Sequence, residues 1–381
     1  MLSAAIDRAK AVVDDVIRPG SPEWDRDGRW PEEAVRALQT SGLAGAMVPP
    51  ELGGLGLGLS GLLALCEVLG AADASVGLCF GMHCVGTVCV TTRATPHQID
   101  RFVRPIAEGT HWTTLALSEA GTGSHFYFPE TEMVPRGEAY VLSGSKCFVT
   151  NGGHADSYVM STVAGGDAPL GHFSMMVVEA EHVAEAWGPP WDGWGMRANS
   201  SRSVTLHEVA VPATHLLGEE GDQIWYVFNA VAPAFLVAMA GTYLGVAGRA
   251  VEEARAHLSE RRFSHSGRPL AAVGVLQHRL GEIWGRLQAS RSLCRWAAEQ
   301  ADRGAEDAVP ALCAAKAHVG EAAVSIVNEC LTLVGGRGYA GDAVLTRLLR
   351  DARAVHVMSP TTDLLHTWTG RSLLGLPLLG D

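Results

Sequence analysis

The pattern of apolar and polar positions divides the chain into three blocks. Residues 1–111 show helical periodicity broken by turns; in WPEEAVRALQTSGLAG, Pro31 stands in a first helical turn and Gly42 follows the last periodic residue. Between residues 112 and 218 the period is two, in short runs rich in β-branched residues: TTLALSEA, EAYVLSG, KCFVTNG, SYVMSTV, HFSMMVVEA and SVTLHEVAV. Residues 219–381 return to helical periodicity. The pattern therefore predicts three domains with these boundaries.

This block order predicts an α+β multi-domain fold. The short strands, separated by Gly, Asn, Asp and Pro, indicate a middle β-sandwich or barrel instead of alternating βαβ units. The first block is then an N-terminal helical domain and the last a C-terminal four-helix bundle. The bundle helices carry little charge, and one has an apolar stripe formed by Leu276, Leu280, Ile283 and Leu287. Such faces need partners, so we expect a homo-oligomer.

Composition narrows the classes of partner. With 381 residues, 47% hydrophobic and 18% charged, the chain has apolar surface for a large core and for contacts between subunits. The net charge of −12 disfavours nucleic acid and anionic membrane. The eight cysteines form no CxxC pair, so neither a metal site nor a disulfide framework is indicated. The N-terminus is unlike a signal peptide and no stretch has the length of a membrane span, so we expect a soluble, cytoplasmic protein.

Four short motifs are candidates for ligand contact, and each also has an ordinary structural explanation. LSEAGTGSHF (117–126) places small residues and a serine after a strand, which suits a phosphate or a ring-edge acceptor, although the motif taken alone favours a glycine-rich hairpin turn. KCFVTNGG (146–153) is typical of a hairpin turn. LVGGRGY (333–339) is a helix stop that also admits a pyrophosphate, and RDAR (350–353) is typical of a helical ion pair.

The order and spacing of the motifs are more informative than any one of them. VPPELGGLGLGLS, LSEAGTGS, YVLSGSKCFVTNGGHAD, WGMRANSSRSVTLHEVAVPATHLLGEEG, the Arg261/Arg262 region, LVGGRGY and RDAR cover nearly the whole chain. This series resembles the acyl-CoA dehydrogenase superfamily of flavoproteins. The resemblance implies FAD, a homotetramer or homodimer, and an acyl thioester substrate carried by CoA or by a carrier protein. It leaves open whether the electron acceptor is a flavoprotein or O₂.

The resemblance also assigns residues to the cofactor. One set surrounds the flavin ring and the phosphate next to it: Leu117 and Ser118 at the ring edge, Gly123 and Ser124 on the phosphate side, Phe148 and Thr150 beside the ring and its N5 atom. A second set is implied at the pyrophosphate or adenosine half of FAD, in part that of a neighbouring protomer: Arg261 or Arg262, Gly335, Gly336 and Thr361.

The family's catalytic base has no counterpart at its two expected positions. In dehydrogenating members a glutamate takes the α-proton of the substrate while a hydride passes to flavin N5, and its usual position, soon after RDAR, is Ser359 here. The alternative position falls in FLVAMAG (235–241), which contains no carboxylate. A serine hydroxyl has far too high a pKa to replace a positioned base. The backbone N–H of Ser359 is still able to polarise a thioester carbonyl.

Three residues are candidate substitutes for this base. His125 stands where the usual Gly-Ser-Asp run has its acid, His83 lies in FGMHCVG where the family lines its substrate cavity, and Asp363 follows Ser359 at i+4. Two of them have ordinary alternatives: a buried structural histidine for His83 and a first-turn helix acid for Asp363.

Three functions are consistent with these observations. The first is an FAD-dependent oxidoreductase that takes a hydride from an acyl thioester, with a relocated or absent base. The second is a reduced-flavin-dependent monooxygenase of the same superfamily, whose members also lack the glutamate. The third is a homologue that binds flavin or thioester without a redox step.

Overall fold

The N-terminal part of the chain is helical, as the sequence predicts. The structure, a computed structural model, describes residues 1–165 and 172–379. The helices before the sheet are α1 (Leu2–Val12), α2 (Arg18–Asp27), α3 (Glu32–Thr40), α4 (Gly58–Ala72), α5 (Ala74–Thr91), α6 (Pro96–Gln98) and α7 (Arg104–Glu108). Asp73 precedes helix α5, and its carboxylate accepts a hydrogen bond of 3.0 Å from the amide of Val76 and so caps the helix.

The described residues of the middle domain form one seven-stranded sheet. Its strands are β1 (Thr113–Ala116), β2 (Glu132–Arg136), β3 (Ala139–Val149), β4 (Ser157–Ala164), β5 (Phe173–Glu179), β6 (Arg202–Pro212) and β7 (Leu216–Leu217). The order is β6-β3-β2-β4-β5-β7, and β1 pairs with β4 in parallel. Because β1 pairs with the first half of β4 and β2 with its end, loop 117–131 leaves the sheet between them.

Most of EAYVLSG and the first half of KCFVTNG, two runs that the sequence separates, lie in the single strand β3. Gly144 lies inside this strand with φ +152°, and a Cβ atom there would lie 2.7 Å from the Cα atom of Thr131. The glycine therefore allows two backbones to approach closely instead of ending the strand.

The C-terminal helices form the predicted bundle. They are α8 (Gln223–Tyr226), α9 (Ala232–Glu260), α10 (Gly274–Asp302), α11 (Ala308–Val334), α12 (Val344–Arg353) and α13 (Thr362–Leu373). Helix α11 packs against α9, α10 and α13, which makes these four the bundle. Helix α4 of the N-terminal domain packs along α9: a Cβ atom on Gly70 would lie 2.5 Å from the carbonyl oxygen of Thr242, and one on Gly241 would lie 2.5 Å from that of Leu63.

The expectation that no stretch has the length of a membrane span is wrong. Within residues 1–165 and 172–379, three helices are long and apolar enough to cross a membrane, by length and composition only: Ala74–Thr91, Gln223–Glu260 and Ala308–Arg337. The most apolar windows of the first two are each 89% buried inside the protein, and that of the third is 39% buried. The first two therefore use their apolar length in the protein core, which periodicity does not distinguish from a membrane helix.

Candidate active site

A cavity of about 490 Å³ lies where the three domains meet. Its walls come from α5, the loop after β1, the end of β3, the loop 191–201, the start of α9 and residues 354–361. Most lining side chains are apolar, among them Leu78, Met82 and Phe235. Volume and lining are typical of a site that holds an organic ligand or cofactor.

Eight of the residues singled out from the sequence line this one cavity. They are Leu117, Ser118, Gly123, Ser124, Phe148, Thr150, Ser359 and Thr361. The first six come from the middle domain and the last two from the loop between α12 and α13, so the fold brings together residues that are far apart in sequence.

Hydrogen bonds join the two middle-domain walls of the cavity. The amide of Cys147 donates to the carbonyl oxygen of Ser118 over 2.8 Å, and the hydroxyl of Thr114 donates to the carbonyl oxygen of Thr150 over 3.0 Å. Between these points Phe148 has φ +54° and is 65% exposed. A positive φ is uncommon for a bulky residue and is found where the surroundings impose it, as at functional sites.

Glu119 is the one carboxylate among the described residues that line the cavity, and its oxygens are already engaged. It pairs with Lys146 and accepts hydrogen bonds from the hydroxyl of Thr131 (2.7 Å) and the amide of Glu130 (2.6 Å). Burial alone would raise the pKa of Glu119, but the Lys146 ammonium and these hydrogen bonds lower it below its ordinary value. Burial lowers the pKa of Lys146 to about 8 despite the pairing. Glu119 is therefore an ionised structural carboxylate and not a free base.

His83 is a buried structural histidine and does not line the cavity. Its Nε2 lies 2.9 Å from the carbonyl oxygen of Ala44, and its Nδ1 lies 3.1 Å from the amide nitrogen of Thr113. The ring stacks on Trp112 at a centroid distance of 3.8 Å. Burial lowers the pKa of His83 to about 4, so the ring is neutral at neutral pH and neither nitrogen is available to a substrate.

The other two candidate bases also lie outside the described lining of the cavity. His125 is exposed, and its ring packs against Tyr127 and Phe128 at centroid distances of 5.8 and 6.4 Å. Asp363 is exposed in the first turn of α13, where a carboxylate stabilises the helix dipole. The structure therefore brings Ser359 to the cavity without any of its three predicted substitutes.

Comparison with known proteins gives the family. Three family models match in series: the acyl-CoA dehydrogenase N-terminal domain at residues 3–110, the middle domain at 114–209 and the C-terminal domain at 234–374. The chain belongs to the acyl-CoA dehydrogenase superfamily. It is accordingly an acyl-CoA dehydrogenase-like flavoprotein oxidoreductase.

The match to individual members extends over the whole chain. The protein is 28% identical to cyclohex-1-ene-1-carbonyl-CoA dehydrogenase of Geobacter metallireducens over 372 residues, which are 97% of each chain. Butyryl-CoA dehydrogenase of Megasphaera elsdenii has the same fold, with a TM-score of 0.92, 24% identity and 98% of each chain covered. KijD3 in complex with FMN and a dTDP-linked 3-amino sugar has a TM-score of 0.85 at 26% identity, covering 99% of this chain and 94% of that one.

The cavity of this acyl-CoA dehydrogenase-like protein fits a flavin. The hydroxyls of Ser118, Ser124 and Thr150 line it without a hydrogen-bond partner among the described residues. Beside them Gly123 has φ +53°, and a Cβ atom there would meet nothing within 4 Å. Free polar groups on one wall and apolar side chains elsewhere match a ring system with a polar edge, so these residues would hold the flavin.

The second cofactor set lies mostly away from the cavity. Arg262 donates to the carbonyl oxygen of Gly267 over 3.2 Å, and Arg261 is exposed at the end of α9. Gly335 ends α11 with φ +71°, and a Cβ atom on Gly335 or Gly336 would meet nothing within 4 Å. Their contact with the cofactor of a neighbouring acyl-CoA dehydrogenase-like protomer remains a prediction.

Sequence reasoning missed how the wall formed by loop 191–201 is held. The amide of Met196 donates to Oδ1 of Asp351 over 2.7 Å, and the guanidinium of Arg350 donates to the carbonyl oxygen of Trp194 over 2.8 Å. Arg350 also pairs with Asp25 of the N-terminal domain. The sequence indicated only a helical ion pair at RDAR, because nothing in it shows that Asp351 is buried.

Asp351 predicts a specific pH dependence of stability. Burial, with help from the neighbouring Asp73, raises the pKa of Asp351 from 3.8 to about 7, against the opposing effect of the Met196 amide. Between these pH values the native state binds more protons than the unfolded state, so the contribution of this carboxyl to the unfolding free energy decreases as pH rises from about 4 to about 7.

We therefore expect Asp351→Asn to be more stable than the parent at pH 8 by about 2–4 kcal/mol, since the amide oxygen still accepts from Met196 and carries no charge to bury. At pH 4 the two proteins should differ much less. Urea unfolding at both pH values measures this difference, with the exposed first-turn acid changed in Asp363→Asn as the control. Equal stability of Asp351→Asn and the parent at pH 8 would contradict the assignment.

A cluster of charged groups outside the cavity was not indicated by the sequence. Glu179, Glu181 and His182 bring potential metal-ligand atoms within 4.8 Å of one another. Glu179 already pairs with Arg101 and lies 3.7 Å from His215 Nε2. These contacts within the protein account for the position of the Glu179 carboxylate.

Proposed function

We propose that this protein is an FAD-dependent oxidoreductase that takes a hydride from an acyl thioester of CoA or of a carrier protein. The observation that supports this proposal is the convergence of eight sequence-assigned residues, Ser359 among them, on one apolar cavity of about 490 Å³. When bound, the flavin supplies the hydride acceptor, its N5 atom. Residues such as Leu78, Met82, Val231 and Phe235 would surround the acyl chain.

The residues of this chain would hold the thioester without a fixed carboxylate base. Ser359 lines the cavity, and its backbone N–H donates to no acceptor in the described part of the chain, so it is free for a thioester carbonyl oxygen. Glu119 is committed to Lys146 and Thr131. The α-proton of the substrate would therefore leave to water, and we expect oxidation to be slow.

The exposed apolar side chains of α10, Val275, Trp284 and Trp296, support a homotetramer or homodimer that covers them. We propose a cytoplasmic protein that passes electrons to a flavoprotein or to O₂.

Anaerobic titration of the purified protein with acyl thioesters tests this function. We expect the visible absorption of the bound flavin to bleach with at least one member of a panel that varies in chain length and branching. If no thioester of the panel bleaches the flavin absorption, the proposal is refuted. Reduced protein that consumes O₂ and oxygenates a substrate would indicate the monooxygenase, and a protein that neither contains nor takes up FAD would indicate the non-redox homologue.

A further inference from the structure

Lys316 is a buried cation with an unusual set of partners. It lies on α11 with 0% exposure, and no carboxylate of the described residues lies within 4 Å of its Nζ atom. Its ammonium donates instead to three backbone carbonyl oxygens, those of Val355 (3.2 Å), Met358 (3.3 Å) and Pro360 (2.8 Å). An ammonium has three N–H donors, so all of them are used on the segment that carries Ser359.

These bonds decide which way the neighbouring N–H groups point. In a planar trans peptide the C=O and the N–H point in opposite directions, and the peptides after Met358 and after Pro360 are both trans. Because Lys316 draws these two carbonyls toward itself, the N–H groups of Ser359 and Thr361 point away from it.

Both N–H groups belong to residues in the cavity wall. Ser359 and Thr361 line the cavity, and neither amide donates to an acceptor in the described part of the chain. Ser359 and Thr361 are half-buried in that wall, so a ligand that fills the cavity would cover both N–H groups and offer them an acceptor.

Two positive elements lie directly against this segment. Thr361 caps the N-terminus of α13, the positive end of the helix dipole, and the charge of Lys316 lies behind the same two peptides. Ser359 itself contributes no negative charge. The other charged groups near the segment are Arg353 and Glu321, which lie near His356, and the exposed Asp363 in the first turn of α13.

We propose that Lys316 is a positioning residue that makes the N–H groups of Ser359 and Thr361 an oxyanion-binding pair for the carbonyl oxygen of an acyl thioester. This inference rests on the proposed function. The cation polarises both peptides through their carbonyl oxygens and so strengthens their N–H groups as donors.

Two pantetheine ligands test the pair, since pantetheine is the arm that CoA and carrier proteins share. Butyryl-pantetheine has the thioester carbonyl, and S-butyl-pantetheine has CH₂ in its place. In the flavin-loaded parent protein we expect the thioester to bind more tightly than the thioether. In Lys316→Met the preference for the thioester over the thioether should fall by roughly tenfold, about the value of one charge-assisted hydrogen bond. Lys316→Gln should show an intermediate preference, because its amide keeps hydrogen-bond donors but carries no charge.

Ile326→Ala is the matched control, because Ile326 is buried on the same helix about 15 Å further along its axis than Lys316. It should lose stability and keep the preference. Hydrogen exchange of the peptide covering 354–361, measured without ligand, should be faster in Lys316→Met than in the parent and unchanged in Ile326→Ala.

The outcomes separate this inference from the proposed function. A folded, flavin-loaded Lys316→Met that keeps the parent's preference overturns the oxyanion pair alone, and unchanged hydrogen exchange overturns the positioning role even without any ligand. A parent protein that binds neither pantetheine compound overturns the proposed function, while faster exchange in Lys316→Met would still support the positioning of the segment.

Discussion

Replacing Ser359 with glutamate is expected to accelerate flavin reduction by an acyl thioester by roughly 10²–10⁴-fold, the usual contribution of a positioned general base. Ser359 lines the cavity, and the other described residues that line it offer no free carboxylate or imidazole. The new carboxylate would lie in a segment held by the uncompensated Lys316 cation, which favours its ionised form. Stopped-flow absorbance under anaerobic conditions measures the rate.

Ser359→Gln is the control for this gain, because it has the same shape as the glutamate variant without a titratable group. We expect Ser359→Gln to stay at the parent rate, and the rate of Ser359→Glu to rise with pH as the carboxyl loses its proton. Equal rates in the two variants would show that position 359 does not reach the α-proton.

Replacing Glu119 with glutamine is expected to lower the free energy of unfolding. Glu119→Gln would leave Lys146 buried beside a neutral amide, and breaking a buried pair in this way costs about 3–5 kcal/mol of unfolding free energy. Lys146 is 0% exposed, and its remaining partners are the hydroxyl and carbonyl oxygen of Ser161. Equilibrium urea unfolding of the flavin-loaded protein measures the loss.

The double variant Glu119→Gln/Lys146→Met is the informative comparison. Since it buries no charge, it should recover most of the stability that Glu119→Gln loses. A double variant as unstable as the sum of the single variants would show that the two side chains act independently, against the pairing observed.

The order of domains was predictable because it depends on periodicity, which is local. Helical and strand periods come from which residues face a core, and each run carries its own signal. Two strands escaped the prediction: β2 contains Pro135 and β7 has only two residues. Both depend on pairing with neighbouring strands, a non-local contribution that no short window contains.

The flavin-side residues were also predictable in part, because the motifs that carry them are contiguous. LSEAGTGS and KCFVTNGG each place several residues on one loop or strand end, so Ser118, Ser124, Phe148 and Thr150 reach the cavity together. The base candidates were less predictable. His83, His125 and Asp363 were proposed from their positions relative to motifs, and the direction in which a side chain points depends on the packing of distant segments.

The sequence by itself determined the family, the domain order and the serine at position 359, because these are properties of residue types and their spacing. Tertiary structure alone decided that Glu119 is bound to Lys146, that the nitrogens of His83 are engaged with Ala44 and Thr113, and that Lys316 holds the Ser359 segment. The physical reason is that the free energy of a charge or a hydrogen-bond donor is set by burial and by its partners. In this protein those partners lie tens of positions away along the chain.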